Sequence, residues 1–225
     1  MIKVEKNSTC GVLIKKGAEA WLYLDEWLGF KVVRKVRVPK AYRDPALDLE
    51  LRLHRTRMEA KLLREAKEAG VPTPTVFMVD LSRAELVMEF LEGPLLRDFL
   101  FKAEKSSVGF VMEKLGVFVG RLHVKGIIHG DLTTANVVVE EKLGIPFLID
   151  FGLGFFSHSL EDKATEIYVL KKSLENIHFS LAKEAFEQFI KGYVSVTGEK
   201  EVKEILKRVK LIASRGRYKG GDKVW

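Results

Sequence analysis

Three side chains in the middle of the chain have the types and spacing that phosphoryl transfer requires. Asp131 and Asn136 lie five residues apart in His129-Gly130-Asp131-Leu132-Thr133-Thr134-Ala135-Asn136, and Asp150 opens Asp150-Phe151-Gly152 nineteen residues after Asp131. One carboxylate positions an attacking hydroxyl or water, while a second carboxylate and an amide oxygen hold magnesium against nucleotide phosphates. Either motif alone marks a turn more often than a site. In this order, on a loop followed by two short strands, they support each other. The same chemistry calls for a phosphate-binding lysine on a strand and a helix glutamate to orient it. Lys35 and Glu59 are the candidates. Alternation places Lys35 on one strand face with Val33 and Arg37, opposite Arg34 and Val36, without deciding which face is buried. Glu65 and Glu68 compete with Glu59, whose place ahead of Leu62 and Leu63 suits a buried pair better.

The elements that must position these residues follow from the hydrophobic pattern. VLIKKG, AEAWLYL and FKVVRKVRV read as strands punctuated by Gly11, Gly17 and Gly29. Asp48 to Ala69 reads as a helix, stopped by Gly70 and Pro72. VFMVD and AELVMEFL are two further strands around a turn at Ser82-Arg83. Beyond Glu92-Gly93-Pro94 the pattern turns helical, first through Val111, Leu115, Phe118 and Leu122. NVVVE and IPFLID form a hairpin that would bring its flanking residues, Asn136 and Asp150, together. Three helices close the chain, around Ile167 to Ile177, Phe186 to Ile190 and Val202 to Val209. This predicts an α+β fold in two parts: a β-rich N-lobe over 1–91 with one main helix, and a mostly helical C-lobe over 92–225.

The hairpin joining the first two strands is the expected cover for nucleotide phosphates. It carries Gly17, Ala18, Glu19 and Ala20, with one glycine where G-x-G-x-x-G would have three. Its backbone amides and Lys16 can reach phosphate. Glu19 is an unusual residue beside an anion, and either an approach to magnesium or an outward swing is compatible with the sequence.

Composition narrows the alternatives. The 225 residues are 47% hydrophobic and 31% charged, enough for a core and a solvated exterior. No run approaches the roughly 20 apolar residues of a spanning helix, and the charged start is unlike a signal peptide, so a cytoplasmic protein without a membrane partner is expected. One cysteine, Cys10, excludes an intrachain disulfide and cysteine-rich zinc modules. The five histidines show no HExxH spacing, and neither G-x-S-x-G nor a Walker A motif occurs. The net charge is +7, with six basic residues and no acid in Lys31–Arg43 and seven basic residues against one acid in Lys207–Lys223. A polyanionic partner fits the second segment, where Tyr218 and Trp225 offer stacking surfaces, and so does a merely solvated helix and tail.

The residues resemble the protein-kinase superfamily, and more narrowly the small atypical kinase subunit of the KEOPS (EKC) complex. The resemblance runs through GAEA (17–20), KVRVPKAYRDPALD (35–48), RTRMEA (55–60), MEFLEG (88–93), IIHGDLTTANVVV (127–139), LIDFGLG (148–154), EDKATEIYVLKKS (161–173) and SRGRYKG (214–220). It implies a bilobal kinase with a truncated C-lobe, since only 73 residues follow Gly152. By the same resemblance, Asp131 is catalytic, Lys35 and Glu59 form the phosphate-lysine pair, and Asn136 and Asp150 hold magnesium. Met88, Glu89 and Leu91 belong to the hinge that reads the adenine of ATP. Gly130 replaces the arginine that in most protein kinases meets an activation-loop phosphate, so control by loop phosphorylation is not expected.

The resemblance further implies ATP hydrolysis or serine/threonine kinase activity in support of threonylcarbamoyl-adenosine formation in tRNA. The implied partners are a threonylcarbamoyl-transferase subunit and a small regulatory subunit of the complex, with tRNA held by the basic tail. EDKATEIY departs from the family's more usual KGVDLY pattern within that segment. The alternative is a stand-alone phosphotransferase, RIO-like or acting on a small molecule as aminoglycoside kinases do.

Overall fold

A run of alternating strands and one long helix build the first part of the molecule. The computed structural model describes residues 11–218. Strands β1 (Val12–Lys16), β2 (Trp21–Trp27), β3 (Phe30–Val36), β4 (Val76–Asp80) and β5 (Glu85–Glu89) form an antiparallel sheet in the order β1-β2-β3-β5-β4. Lys35 pairs with Leu22 on one side and Leu86 on the other, so it sits in the sheet's central strand. Helix α1 (Pro45–Glu68) begins three residues earlier than the pattern predicts. The reason is local: the Asp44 carboxylate accepts from the N–H groups of Ala46 and Leu47 at 3.0 and 3.1 Å, and Pro45 takes the first helical position, where it needs no N–H partner.

The remaining elements are α2 (Leu96–Leu100), α3 (Lys105–Val124), β6 (Ile127–Ile128), β7 (Val137–Val139), β8 (Pro146–Leu148), β9 (Phe155–Phe156), α4 (Leu160–Ile177), α5 (Ala182–Thr197) and α6 (Glu199–Tyr218). α2, β6 and β9 are too short to show a hydrophobic period, and none is anticipated from the sequence. β7 and β8 form the predicted hairpin, with Val137 opposite Leu148. β6 pairs with β9, Ile128 opposite Phe155.

The contacts divide the chain into two compact units. One runs to Ala60 and takes in Pro74–Phe90; the other comprises Lys61–Thr73 and Leu91 onward. The last turns of α1 and the segment after it therefore belong with the helical unit. The change of unit between Phe90 and Leu91 falls one residue before the expected boundary. Leu62, Leu63 and Ala66 are buried there, and the Thr73 hydroxyl donates to Leu63 O at 3.1 Å.

The helical unit is organised on α3 and α5. Gly116 and Gly120 of α3 face α5, and Gly192 of α5 faces α3. A Cβ added at Gly116 would lie 1.9 Å from Phe189 O, and one at Gly192 would lie 1.9 Å from Glu113 O. These glycines let two backbones approach closer than any side chain allows. Met112, Leu115, Leu122, Phe189 and Tyr193 fill the space around that contact. Gly116→Ala should therefore force the helices apart and cost about 2 kcal/mol of unfolding free energy, the usual scale of overpacking. Urea unfolding followed by circular dichroism measures it, and an unchanged midpoint would mean the helices are free to separate.

Candidate active site

In the sheet unit, Lys35 and Glu59 meet as a buried pair. Lys35 Nζ donates to Glu59 Oε1 at 2.7 Å, and the Glu59 side chain is 1% exposed. The competing acids are solvated: Glu65 and Glu68 lie 33% and 63% exposed beside Arg64. Arg37, two residues along the same face of the strand, donates to Glu59 Oε2 at 2.6 Å and is buried as well. A lone buried carboxylate is costly, and two cations on its two oxygens make the burial of Glu59 tolerable. Arg34 points to the other face, where it joins Asp25 at 2.5 Å and Glu85 at 2.7 Å. Burial, the largest influence on Asp25, favours its neutral form, but the Arg34 hydrogen bond, the Glu26 N–H and the Arg34 charge together outweigh it and hold the carboxyl below its ordinary range.

Internal acids thus take up much of the basic run Lys31–Arg43. The hairpin residues of the same unit are tied to it. Glu19 swings outward to the cations around α1, with Oε2 2.5 Å from Arg55 Nη1 and Oε1 3.5 Å from Arg43 Nη2. Lys40 Nζ donates to the Ala18 carbonyl, and the Gly17 N–H closes the turn on Ala20 O at 3.0 Å. Met88 is buried in β5. The N–H groups of Glu89 and Phe90 are used inside the sheet, on Thr75 O and Lys31 O at 2.8 and 3.2 Å. Any base read by this backbone has to use carbonyls or the Leu91 peptide.

In the helical unit, Asp131, Asn136 and Asp150 come together through the β7–β8 hairpin. Asn136 Nδ2 donates to both Asp131 O (2.9 Å) and Asp131 Oδ2 (2.8 Å), and the Ile149 N–H donates to Asn136 O at 3.0 Å. The amide nitrogen of Asn136 is therefore committed to the Asp131 loop, which leaves its oxygen as a ligand. Asp150 follows Ile149 with φ at +63°, a left-handed conformation that aspartate tolerates better than most residues. Its carboxylate accepts from the Gly152 N–H at 3.2 Å. Two oxygen donors, one amide and one carboxylate, suit magnesium, which keeps several waters and completes its shell with phosphate oxygens. No denser cluster of metal-ligating residues occurs among the described residues.

The loop carrying Asp131 is held from behind by residues that no sequence motif singles out. Glu166 on α4, 1% exposed, accepts from the Gly130 N–H at 2.9 Å with Oε1 and contacts His123 Nε2 at 2.7 Å with Oε2. A carboxylate only accepts, so the His123 proton faces Glu166. His123 Nδ1 shares a hydrogen bond with the Tyr193 hydroxyl at 2.8 Å. Burial first, then the charges of Glu201 and Glu166, push the Tyr193 phenol up, so it stays protonated. Two turns beyond Glu166, the Ser173 hydroxyl of α4 accepts from the Thr134 N–H at 3.1 Å.

Gly130 itself has φ +82°, and a Cβ there would sit 2.1 Å from Leu153 O. An arginine at this position is sterically excluded. His129 donates from Nε2 to Ile149 O at 2.9 Å, accepts the Asp131 N–H at 3.3 Å, and packs on Phe151 with ring centroids 4.5 Å apart.

Of the basic C-terminal segment, α6 runs as helix to Tyr218. Lys207 and Arg208 face Glu204, and Arg215 meets Glu161 at 3.2 Å. Residues 219–225, with Trp225, and the side chains of Arg217 and Tyr218 lie outside the described residues, as does Cys10. No helix among the described residues is long and apolar enough to cross a membrane.

Burial alone would raise the Glu166 carboxyl, but the His123 hydrogen bond, the charges of His123 and His129 and the Gly130 N–H together hold it below its ordinary value of 4.5. A carboxyl lowered in the folded state stabilises the protein above its unfolded-state value and loses that contribution as pH falls through the folded-state value. Unfolding free energy measured from pH 6 down should therefore drop below about pH 4.5 in the wild type. The drop should be shallower in Glu166→Gln. Parallel pH curves would mean that Glu166 is not ionised in the folded state.

The chain is similar to several known proteins. The RIO domain family model matches residues 30–193. The KEOPS complex subunit Bud32 of Pyrococcus abyssi is 41% identical over 213 residues, covering 92% of this chain and 96% of that one. The EKC/KEOPS complex subunit bud32 of Dictyostelium discoideum is 32% identical, covering 96% and 87%. A probable bifunctional tRNA threonylcarbamoyladenosine biosynthesis protein of Methanothermobacter thermautotrophicus is 42% identical over 206 residues, and there the chain spans only 36% of the relative's length. Among solved structures, WaaP in complex with acyl carrier protein aligns over 92% of this chain and 88% of its own with a TM-score of 0.67 at 16% identity. The Chaetomium thermophilum Rio2 kinase complex aligns over 91% and 70% with a TM-score of 0.61 at 15% identity. Those two likenesses establish the kinase-like α+β fold. With its family-model match and a full-length relative at 41% identity, the chain belongs to the RIO-domain family of kinase-like proteins and, within it, to the KEOPS-subunit branch.

Proposed function

We propose that this chain is the ATP-dependent kinase or ATPase subunit of a KEOPS-type complex and that its ATP turnover supports threonylcarbamoyladenosine modification of tRNA. The observation that carries the reading is the near full-length likeness to the Pyrococcus subunit in a chain whose phosphoryl-transfer residues are all present. Lys35, oriented by Glu59, presents its ammonium to the nucleotide phosphates under the Gly17–Ala20 hairpin. Met88, Glu89 and Leu91 border the adenine. Asn136 Oδ1 and the Asp150 carboxylate would hold magnesium, which when bound neutralises charge on the phosphate oxygens. Asp131, steadied by Asn136 Nδ2 and the Gly130–Glu166 contact, orients a water or a serine hydroxyl and takes up its proton. The gain comes from positioning and charge, so a small displacement of the Asp131 loop is costly.

The fused relatives inform the choice of partners. In those proteins a segment like this chain occupies little more than a third of one polypeptide named for threonylcarbamoyladenosine biosynthesis. A threonylcarbamoyl-transferase subunit acting in trans is the corresponding partner here, with a small regulatory subunit beside it. tRNA engages the basic C-terminal segment, and the cytoplasm is the matching compartment.

Magnesium-dependent phosphate release from ATP tests the reading, with the chain alone, with its transferase partner and with tRNA added. Partner and tRNA should stimulate release. Asp131→Ala should lower it by about 10²-fold or more while ATP binding stays near wild type. Asp150→Ala should remove the metal-dependent rate with the fold intact by circular dichroism. Retained turnover in Asp150→Ala would overturn the metal assignment. Label transferred to a small molecule without any partner effect would favour the stand-alone phosphotransferase.

A further inference from the structure

Glu19 is the one acid in the hairpin proposed to cover the nucleotide phosphates, and the role inferred for it here rests on that reading. Arg43 and Arg55 meet its carboxylate, Lys40 donates to the neighbouring Ala18 carbonyl, and Arg52 joins Asp48 close by in sequence. Among the described residues, two carboxylates, Glu19 and Asp48, form the ion pairs with the three arginines. Asp48 is buried and committed, to Arg52 Nε at 2.7 Å and to the Lys40 N–H at 3.3 Å. The Arg52 hydrogen bond, the largest influence on it, holds its carboxyl below the ordinary range.

Glu19 is different. It is 42% exposed, it stands at a hairpin tip, and it meets each guanidinium through a single atom pair rather than a two-pronged contact. Arg55 has no other ion-pair partner among the described residues. Arg43 divides its charge between Glu19 and Asp48, the latter at 3.6 Å. A pair held this way contributes little, because water competes for both ends. A phosphate group brings three oxygens and up to two negative charges, and it matches guanidinium forks better than one carboxylate does.

We propose that Arg43 and Arg55 form a phosphate-binding pair and that Glu19 occupies it as an internal substitute, latching the hairpin to α1 until a phosphate group displaces the carboxylate. The hairpin has one glycine, so it lacks the pliancy of a glycine-rich cover, and a displaceable ion pair supplies the opening and closing that backbone freedom supplies elsewhere. The phosphate has two chemical sources, the terminal phosphate of the bound nucleotide or a separate inorganic phosphate.

Isothermal titration calorimetry of the full chain distinguishes them, using wild type, Glu19→Gln and the Glu19→Gln, Arg55→Gln double variant. The probes are Mg–ATP, Mg–ADP, and inorganic phosphate added to protein saturated with Mg–ADP. Glu19→Gln should bind tighter by about fivefold, the scale of an exposed ion pair, and the second substitution should abolish the gain. A gain for Mg–ATP but not Mg–ADP identifies the nucleotide's terminal phosphate. A gain for inorganic phosphate identifies a separate ion. If Glu19→Gln binds all three probes no better than wild type, or worse, Glu19 merely braces the hairpin and the proposal falls. Wild-type binding of Mg–ATP is read separately: its absence defeats the nucleotide assignment, whereas its presence without a gain in Glu19→Gln defeats only the latch.

Discussion

Glu166 is a carboxyl almost wholly removed from water, its partners favour the ionised form, and much of the helical unit is arranged to satisfy it. An anion in such surroundings must be hydrogen-bonded on both oxygens or it neutralises and the fold loosens. One oxygen takes the Gly130 N–H, the other takes His123, and His123 leans in turn on Tyr193. α3, α4, α5 and the loop before Asp131 therefore share one polar centre. The loop that carries Asp131 inherits its position from that requirement. Ser173, two turns further along α4, adds a second point of attachment at Thr134, so one helix holds both ends of the segment.

Two residues in left-handed backbone conformations complete the arrangement. Gly130 can adopt its φ of +82° at no steric cost and leaves room for Leu153 O. Asp150 adopts φ +63° with a side chain present, a conformation that costs energy and persists only where the surroundings impose it. Here the imposing groups are the β7–β8 ladder before it and the Gly152 N–H that its carboxylate holds. Both irregular positions flank the chemistry, and the regular hairpin between them sets their separation.

The candidate site was legible in the sequence because phosphoryl transfer restricts both type and spacing, which singles out Asp131, Asn136 and Asp150 before any fold is known. The two-part α+β architecture was legible because strand alternation gives way to helical periodicity near Gly93. Burial of the Lys35 face was not, since Lys35 and Arg37 look like solvated charges until a partner on α1 is supplied. The start of α1 was missed although Asp44-Pro45 is a recognisable cap, because the apolar period begins later. Glu166, His123 and Tyr193 lie 43 and 70 residues apart in contacting pairs. No local pattern announces such contacts. The EDKATEIY segment belonged to the family resemblance, yet its role in holding the loop appears only in three dimensions.

Arg37 gives the sheet unit a property that a single lysine–glutamate pair would lack. With Lys35 on one oxygen of Glu59 and Arg37 on the other, both cations project from one strand and close on one carboxylate. Moving the Glu59 segment of α1 away from β3 would separate that carboxylate from two partners at once. Each broken buried contact of this kind costs several kcal/mol, about 3–5 for one partner removed. Both contacts therefore oppose any movement of Glu59 away from β3. A glutamate held on both oxygens has a fixed orientation as well as a fixed depth, because neither oxygen can turn without giving up a cation.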